Sequence, residues 1–193
     1  MTPPIVVLDA CVLVSAALRD TLLRAAQAEF CDPRWSELIL EEVRRTLVNK
    51  QFTVEQRAQR LLATLRAVFP HAMVAGFEHR IDAMTNHQKD RHVLAAAVEV
   101  RAERIITKNL RDFPLRALAP HGVVAQAPDD LLCEWQQARP AAMLALLRAQ
   151  GAFLRVPKTP EQVISALEAQ GAPRFAALTR QTLAAEQQTQ SRE

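Results

Sequence analysis

Two rhythms of apolar and polar positions alternate along the first two-thirds of the chain. Residues 5–8 (IVVL) are a continuous apolar, mostly β-branched run that follows two prolines and ends at Asp9. A run this short, with no polar face, predicts a fully buried strand of a parallel sheet. Residues 10–29 then read as helix with a break near Asp20. Ser36 is placed to cap a helix over 37–49, and a further helix spans about 54–68 and ends before Pro70. A short strand is expected within 72–77, a helix over 90–102, a second buried strand at 104–107 (RIIT) and a third at 122–126. Strands alternating with helices predict an α/β fold with a parallel sheet covered by helices. After Pro128 the rhythm is helical only, punctuated by Pro140, Gly151, Pro157, Pro160, Gly171 and Pro173. The expected organisation is therefore an α/β domain over residues 1–127 and a helical extension over 128–193, with a frayed polar tail (QQTQSRE).

Composition changes this picture little. The 193 residues are 49% hydrophobic and 23% charged, ordinary values for a globular chain with its own core. No apolar run approaches the length of a membrane span, and MTPPIVVLDA lacks the pattern of a signal peptide. Cys11, Cys31 and Cys133 are odd in number and scattered, which fits reduced, buried thiols in a cytoplasmic protein. The net charge of +3 is too small to argue for nucleic acid alone.

The chemistry lies in the acids. Sites in open α/β sheets form at the carboxyl ends of strands. Asp9 directly follows the first strand, and the loop TKNLRD (107–112) after the RIIT strand ends in Asp112. If those strands are neighbours, the two carboxylates meet at one sheet edge, where each raises the other's pKa unless a cation intervenes. On the 37–49 helix, Ile39, Leu40, Val43 and Leu47 define the apolar face. At about 100° per residue, Glu41 lies roughly 155° from its centre and Glu42 roughly 105°. Glu41 thus faces solvent, and Glu42 sits at the boundary where a side chain reaches a cleft. Asp90 precedes the Val93-Leu94-Ala97-Val98 face and is either a helix cap or a ligand. Taken singly, each of the four acids also reads as a cap or a surface residue. Gathered from four elements, they would suit a hard divalent cation, which takes carboxylates and keeps several waters. Such an ion makes hydroxide available and neutralises a pentacoordinate phosphate.

The ordered segments VVLDACVLVSA (6–16), S-x5-E-V-x-x-x-L (36–47), KDRHVLAAA (89–97) and IITKNLRDFP (105–114) resemble the PIN-domain nucleases, and in particular the VapC-type toxins of bacterial toxin–antitoxin systems. The resemblance covers about residues 4–127. It implies an α/β/α sandwich and a catalytic, metal-binding set of Asp9, Glu42, Asp90 and Asp112. The spacing from Ser36 selects Glu42 over Glu41, as the angle does, and Thr107 and Asn109 fall where the family supports its site by hydrogen bonds. The implied activity is Mg2+- or Mn2+-dependent hydrolysis of RNA (tRNA, rRNA or mRNA) by a metal-activated water, leaving 5′-phosphate and 3′-hydroxyl ends. The implied partners are a cognate antitoxin and a second copy in a homodimer. Two features depart from the pattern. His87-Gln88-Lys89 lacks an acid often found before Asp90, and the helical tail is longer than in compact toxins.

Around this set, Lys89, Arg91, His92, Lys108 and Arg111 are expected to contact RNA phosphates. A zinc site of His87, Asp90 and His92 lacks a fourth ligand at finger-like spacing. Trp35 and Phe113 are more readily core residues than base-stacking platforms. No G-x-G-x-x-G, Walker A or G-x-S-x-G motif is present. Two other functions compete. A haloacid-dehalogenase-like hydrolase would use Asp9 as nucleophile, Lys108 as its lysine and Asp129-Asp130 as late acids. A PIN fold could also bind RNA or protein without cutting.

Overall fold

The computed structural model describes residues 2–190. Its centre is a five-stranded, all-parallel sheet in the order β3-β2-β1-β4-β5. The central strand β1 (Ile5–Leu8) pairs on one side with β2 (Asp32–Ser36) and on the other with β4 (Arg104–Ile106), and β5 (Val124–Gln126) pairs with β4. Val6, Val7, Leu8, Ile105 and Ile106 are fully buried. That is why their sequence lacks the alternation of a half-exposed strand. The fold class is the expected parallel α/β type with a helical C-terminal region.

Strand β2 has no counterpart in the sequence reading, because DPRWS contains a proline and an Asp32–Arg34 ion pair. A proline in a central strand is unusual, since it cannot donate to a ladder. Here β2 pairs with β3 (Met73–Val74) only through Trp35 and Ser36, so at Pro33 the ladder runs to β1 alone. The strand expected within 72–77 is reduced to those two residues of β3.

The helix expected over 10–29 is two helices, α1 (Ala10–Leu13) and α2 (Ala16–Gln27). The break falls at Ser15, which is extended, and not near Asp20. Asp20 sits inside α2, in an i,i+4 ion pair with Arg24 at 3.1 Å. Such a pair supports a helix and does not interrupt it. Helix α3 (Glu37–Asn49) begins at the Ser36 cap, whose hydroxyl accepts from Ile39 N at 3.3 Å, and α4 (Glu55–Val68) packs beside it. Helix α5 (Arg91–Glu99) is shorter than expected and follows a 3-10 turn at Gln88–Asp90. It ends where Arg101 takes a left-handed φ of 53°. Ala95, Ala96 and Ala97 are fully buried, and α5 packs on β1, β2 and β4. Small side chains let a helix lie close to a sheet. A short α6 (Leu115–Leu118) precedes β5.

Contacts divide the chain into two compact units. The first comprises residues 1–14 and 31–127 and contains the sheet. The second comprises residues 15–30 and 128–193, so α2 groups with the C-terminal helices. These are α7 (Pro128–Ala138), α8 (Pro140–Ala152), α9 (Pro160–Ala169) and α10 (Pro173–Gln190). Each opens with a proline, whose missing N–H costs nothing in a first turn. In this unit α2 packs on α8 and α9, and Thr21 donates to Gln150 Oε1 at 2.7 Å. Gly151 is required by close approach, because a Cβ there would clash with the Lys158 carbonyl oxygen. Of the tail expected to fray, residues 187–190 belong to α10 and 191–193 lie outside the described residues.

Candidate metal centre

The parallel pairing of β1 with β4 brings the two strand-end loops together, and Asp9 N donates to Ile106 O at 3.1 Å. Asp9 occupies the N-cap position of α1 but makes no side-chain cap bond. Its carboxylate, 5% exposed, instead accepts from Thr107 Oγ1 at 2.6 Å and from Cys11 Sγ at 3.0 Å, both at Oδ2. Asp90 likewise holds the N-cap position of α5 without a side-chain cap bond. For both acids the cap explanation fails at the side chain, which is left available for another role.

Asp112 closes a 3-10 turn (Leu110–Asp112) and accepts from Asn109 Nδ2, while Asn109 N donates to Thr107 Oγ1 at 3.0 Å. A continuous chain of bonds therefore runs Asp9–Thr107–Asn109–Asp112. Glu42 stands on α3 with its side chain 27% exposed, near His92 Nε2 (3.5 Å) and Arg45 (3.8 Å). Glu41 points elsewhere, pairing with Arg44, which also binds Glu55. Ser36 acts on the site only through α3, which it caps.

The electrostatics of Asp90 involve the other three acids. Burial pushes the Asp90 carboxyl up to about 6, and the charges of Asp9, Asp112 and Glu42 add to the rise, as does a hydrogen bond with Asp112. Three acids from three other elements thus act on the Asp90 carboxylate. Burial lowers the basicity of His92, but hydrogen bonding and charge from Glu42 outweigh it, so the imidazole ends above its usual range. Among the described residues, one ligand atom each from His87, Asp90 and Asp112 lie within 4.8 Å of one another.

Cys11 is the neighbour that sequence reasoning missed, having been assigned with the other cysteines to plain burial. Its sulfur contacts Asp9 and Thr107 and accepts from Lys108 N at 3.2 Å. Burial and the Asp9 charge push the thiol up to about 12, so near neutral pH it remains a neutral donor. Its place two residues after a strand-end acid was the available signal. The basic residues separate into two groups. Lys89, Lys108 and Arg111 are exposed. His92, expected at an RNA surface, is 9% exposed and faces Glu42, because the periodicity of α5 turns it inward. Arg91 is half-buried. Trp35 (0% exposed, edge-on to Phe69) and Phe113 (3%) are core residues.

The sequence model of the PIN domain matches residues 5–111, more than half of the chain. The chain belongs to the PIN-domain family. A second model, described as the VapC50 C-terminal domain, matches residues 128–181. The PIN-domain chain is also 43% identical over 113 residues to a Mycobacterium tuberculosis (strain ATCC 25618 / H37Rv) protein named "Putative ribonuclease VapC50". That match covers 56% of this chain and 64% of the relative, so the chain spans somewhat under two-thirds of the relative's length. No solved structure matches the chain. Among the described residues, no helix is long and apolar enough to cross a membrane.

Proposed function

We propose that this PIN domain is a divalent-cation-dependent endoribonuclease and the toxin of a toxin–antitoxin pair. It hydrolyses RNA phosphodiesters at a site formed by Asp9, Glu42, Asp90 and Asp112. The observation that carries this reading is the convergence of three carboxylates on Asp90, whose own carboxyl is driven up to about 6 in their company. Like charges are held together at such a cost where a cation is to be bound. The donor set fits Mg2+ or Mn2+, which prefer carboxylate oxygen. The family membership and the name of the relative support the same reading.

The four acids would hold the ion, which when bound neutralises phosphate charge and makes water a better acid. The chain's own groups do the rest. Thr107 and Cys11 fix the orientation of Asp9, and Asn109 fixes Asp112. Lys89, Lys108 and Arg111 offer exposed cations to the RNA backbone, setting position and not sequence preference. Catalysis is assigned to the domain within residues 1–127 and no catalytic residue to the helical extension. The proposed setting is cytoplasmic, with a cognate antitoxin and a second copy of the chain as partners.

The dehalogenase-like alternative loses its late acids. Asp129 accepts from Arg174 N (3.2 Å) and Phe175 N (2.9 Å) at the start of α10, and Asp130 pairs with Arg174. A non-catalytic PIN fold would have no use for four converging acids.

The test is cleavage of structured and single-stranded RNAs by protein freed of any co-purified partner, with Mg2+, Mn2+ or EDTA. Asp9→Asn and Asp90→Asn are run alongside. Cleavage that stops with EDTA and with either substitution is expected. Cleavage that survives both would remove the metal-site reading.

A further inference from the structure

The tight group inside the site contains a nitrogen. His87 Nδ1 lies 3.5 Å from Asp90 Oδ2, and the ligand atoms of His87, Asp90 and Asp112 all fall within 4.8 Å of one another. Bonds of about 2.1 Å to one ion would place adjacent ligands about 3.0 Å apart and opposite ligands about 4.2 Å apart. The present spacing needs only a small closure to reach that range. The backbone restricts His87 to this place, since His87 N donates to Asp112 O at 3.1 Å and Asp90 N donates to His87 O at 2.9 Å. The His87 backbone is thus tied by main-chain bonds to both acids, and its side chain is 48% exposed. The neighbouring His92 is engaged elsewhere, with Nε2 3.5 Å from Glu42 Oε2.

The geometry points to His87 as an imidazole ligand of the bound cation. It makes the centre a mixed nitrogen–oxygen site that prefers a first-row transition ion to Mg2+. The inference rests on the carboxylate reading above and adds a ligand that reading does not contain. Its chemical basis is ligand type. Mg2+ selects oxygen and holds its waters, whereas imidazole suits later transition ions, whose affinity rises from Mn2+ towards Cu2+. His87 stands three residues before Asp90, in the segment that lacks the additional acid, so nitrogen would take the place of a carboxylate oxygen there.

The experiment uses the full chain, stripped with EDTA and free of partner. Mn2+ is added and pulsed electron paramagnetic resonance reads directly bound nitrogen, while calorimetry compares Co2+ with Mg2+. His87 is exposed, so His87→Ala is expected to fold, and a matching circular dichroism spectrum checks this. Wild type should show nitrogen coupling on Mn2+, and His87→Ala should lose it. The same substitution should weaken Co2+ binding by about 10-fold or more while leaving Mg2+ binding nearly unchanged. If Mn2+ binds, and binding weakens in Asp90→Asn, yet no nitrogen coupling appears or it persists in His87→Ala, the His87 assignment is overturned and the carboxylate site stands. If Mn2+ does not bind wild type, or binds Asp90→Asn equally well, the carboxylate site falls and His87 with it.

Discussion

Two groups of carboxylates, one in each unit, are used in opposite ways. In the C-terminal unit the acids meet cations or backbone donors. Glu161 and Glu168 share Arg180, Glu186 pairs with Arg148, Asp130 with Arg174, and Asp129 accepts the first N–H groups of α10. In the sheet-bearing unit Asp90 instead lies under the charges of Asp9, Asp112 and Glu42; of the basic side chains nearby, Arg45 and His92 attend Glu42 and His87 attends Asp90. Acids that are matched stabilise a fold. Acids held against each other are tolerated only where something else needs them. The contrast sets the matched acids of the chain apart from the four proposed to hold a cation.

The largest effect is expected on cleavage. Asp9→Asn keeps the size and one acceptor of the side chain but removes its charge, and should lower RNA cleavage by at least about 10²-fold, the scale of losing a positioned catalytic group. The paired control is Asp129→Ala in the other unit. It should cost about 1 kcal/mol of stability through the lost cap and leave cleavage per folded molecule unchanged. Single-turnover assays together with thermal melts separate the two outcomes. Equal loss of cleavage in both variants would erase the distinction between the units. A smaller effect is expected of Thr107→Val, which keeps the shape but deletes the donor to Asp9. Cleavage and Mn2+ affinity should both fall by about 10- to 100-fold, and Thr107→Ser should recover most of the loss. A Thr107→Ser variant as weak as the valine would mean that packing matters and the hydroxyl does not.

How much of this was visible in the sequence follows the same division. Asp9 and Asp112 were legible because strand ends are where α/β sites form, and the apolar runs at 5–8 and 104–107 marked the strands. Glu42 was separable from Glu41 by helical angle alone. Strand β2 was hidden because Pro33 and the Asp32–Arg34 pair carry none of the usual strand signals, and its pairing to β1 is a long-range fact. The break at Ser15 and the grouping of α2 with the C-terminal helices likewise depend on tertiary contacts, which periodicity does not encode. Cys11 and His92 were misread for one reason. Residue type alone suggested a buried apolar thiol and a basic surface ring, whereas each in fact meets an acid of the site.

Stability of the metal-free protein gives a third test. The Asp90 carboxyl in the folded state sits at about 6, above its ordinary 3.8, so between those values the folded chain binds more protons than the unfolded one. By linkage, this contribution is present at low pH and lost as pH rises from about 4 through 6. EDTA-treated Asp90→Asn should therefore melt higher than wild type at pH 7, and its melting temperature should change less than that of wild type between pH 4 and pH 6.5. The same variant should lose cleavage, so that stability and activity move in opposite directions. A lower melting temperature at pH 7 would show that the acids do not strain the fold.

The smallest effect is expected in the other unit, where charges are already matched. Arg180 lies between Glu161 (2.8 Å) and Glu168 (2.7 Å) and joins α10 to α9 at the surface. Its geometry looks strong, but all three side chains are solvent-facing. Water and salt screen such pairs, and ordering three long side chains offsets much of the attraction. Arg180→Ala should leave the melting temperature nearly unchanged at about 0.15 M salt and lower it measurably only at low ionic strength. Gln substitution at both glutamates should behave the same way. The helical unit would then owe its stability to buried residues such as Phe175, Ile164 and Leu147 and not to its ion pairs. A salt-independent fall in Arg180→Ala would mean that matched carboxylates carry as much energy as opposed ones, and charge pairing would no longer tell the structural acids of this chain from the functional ones.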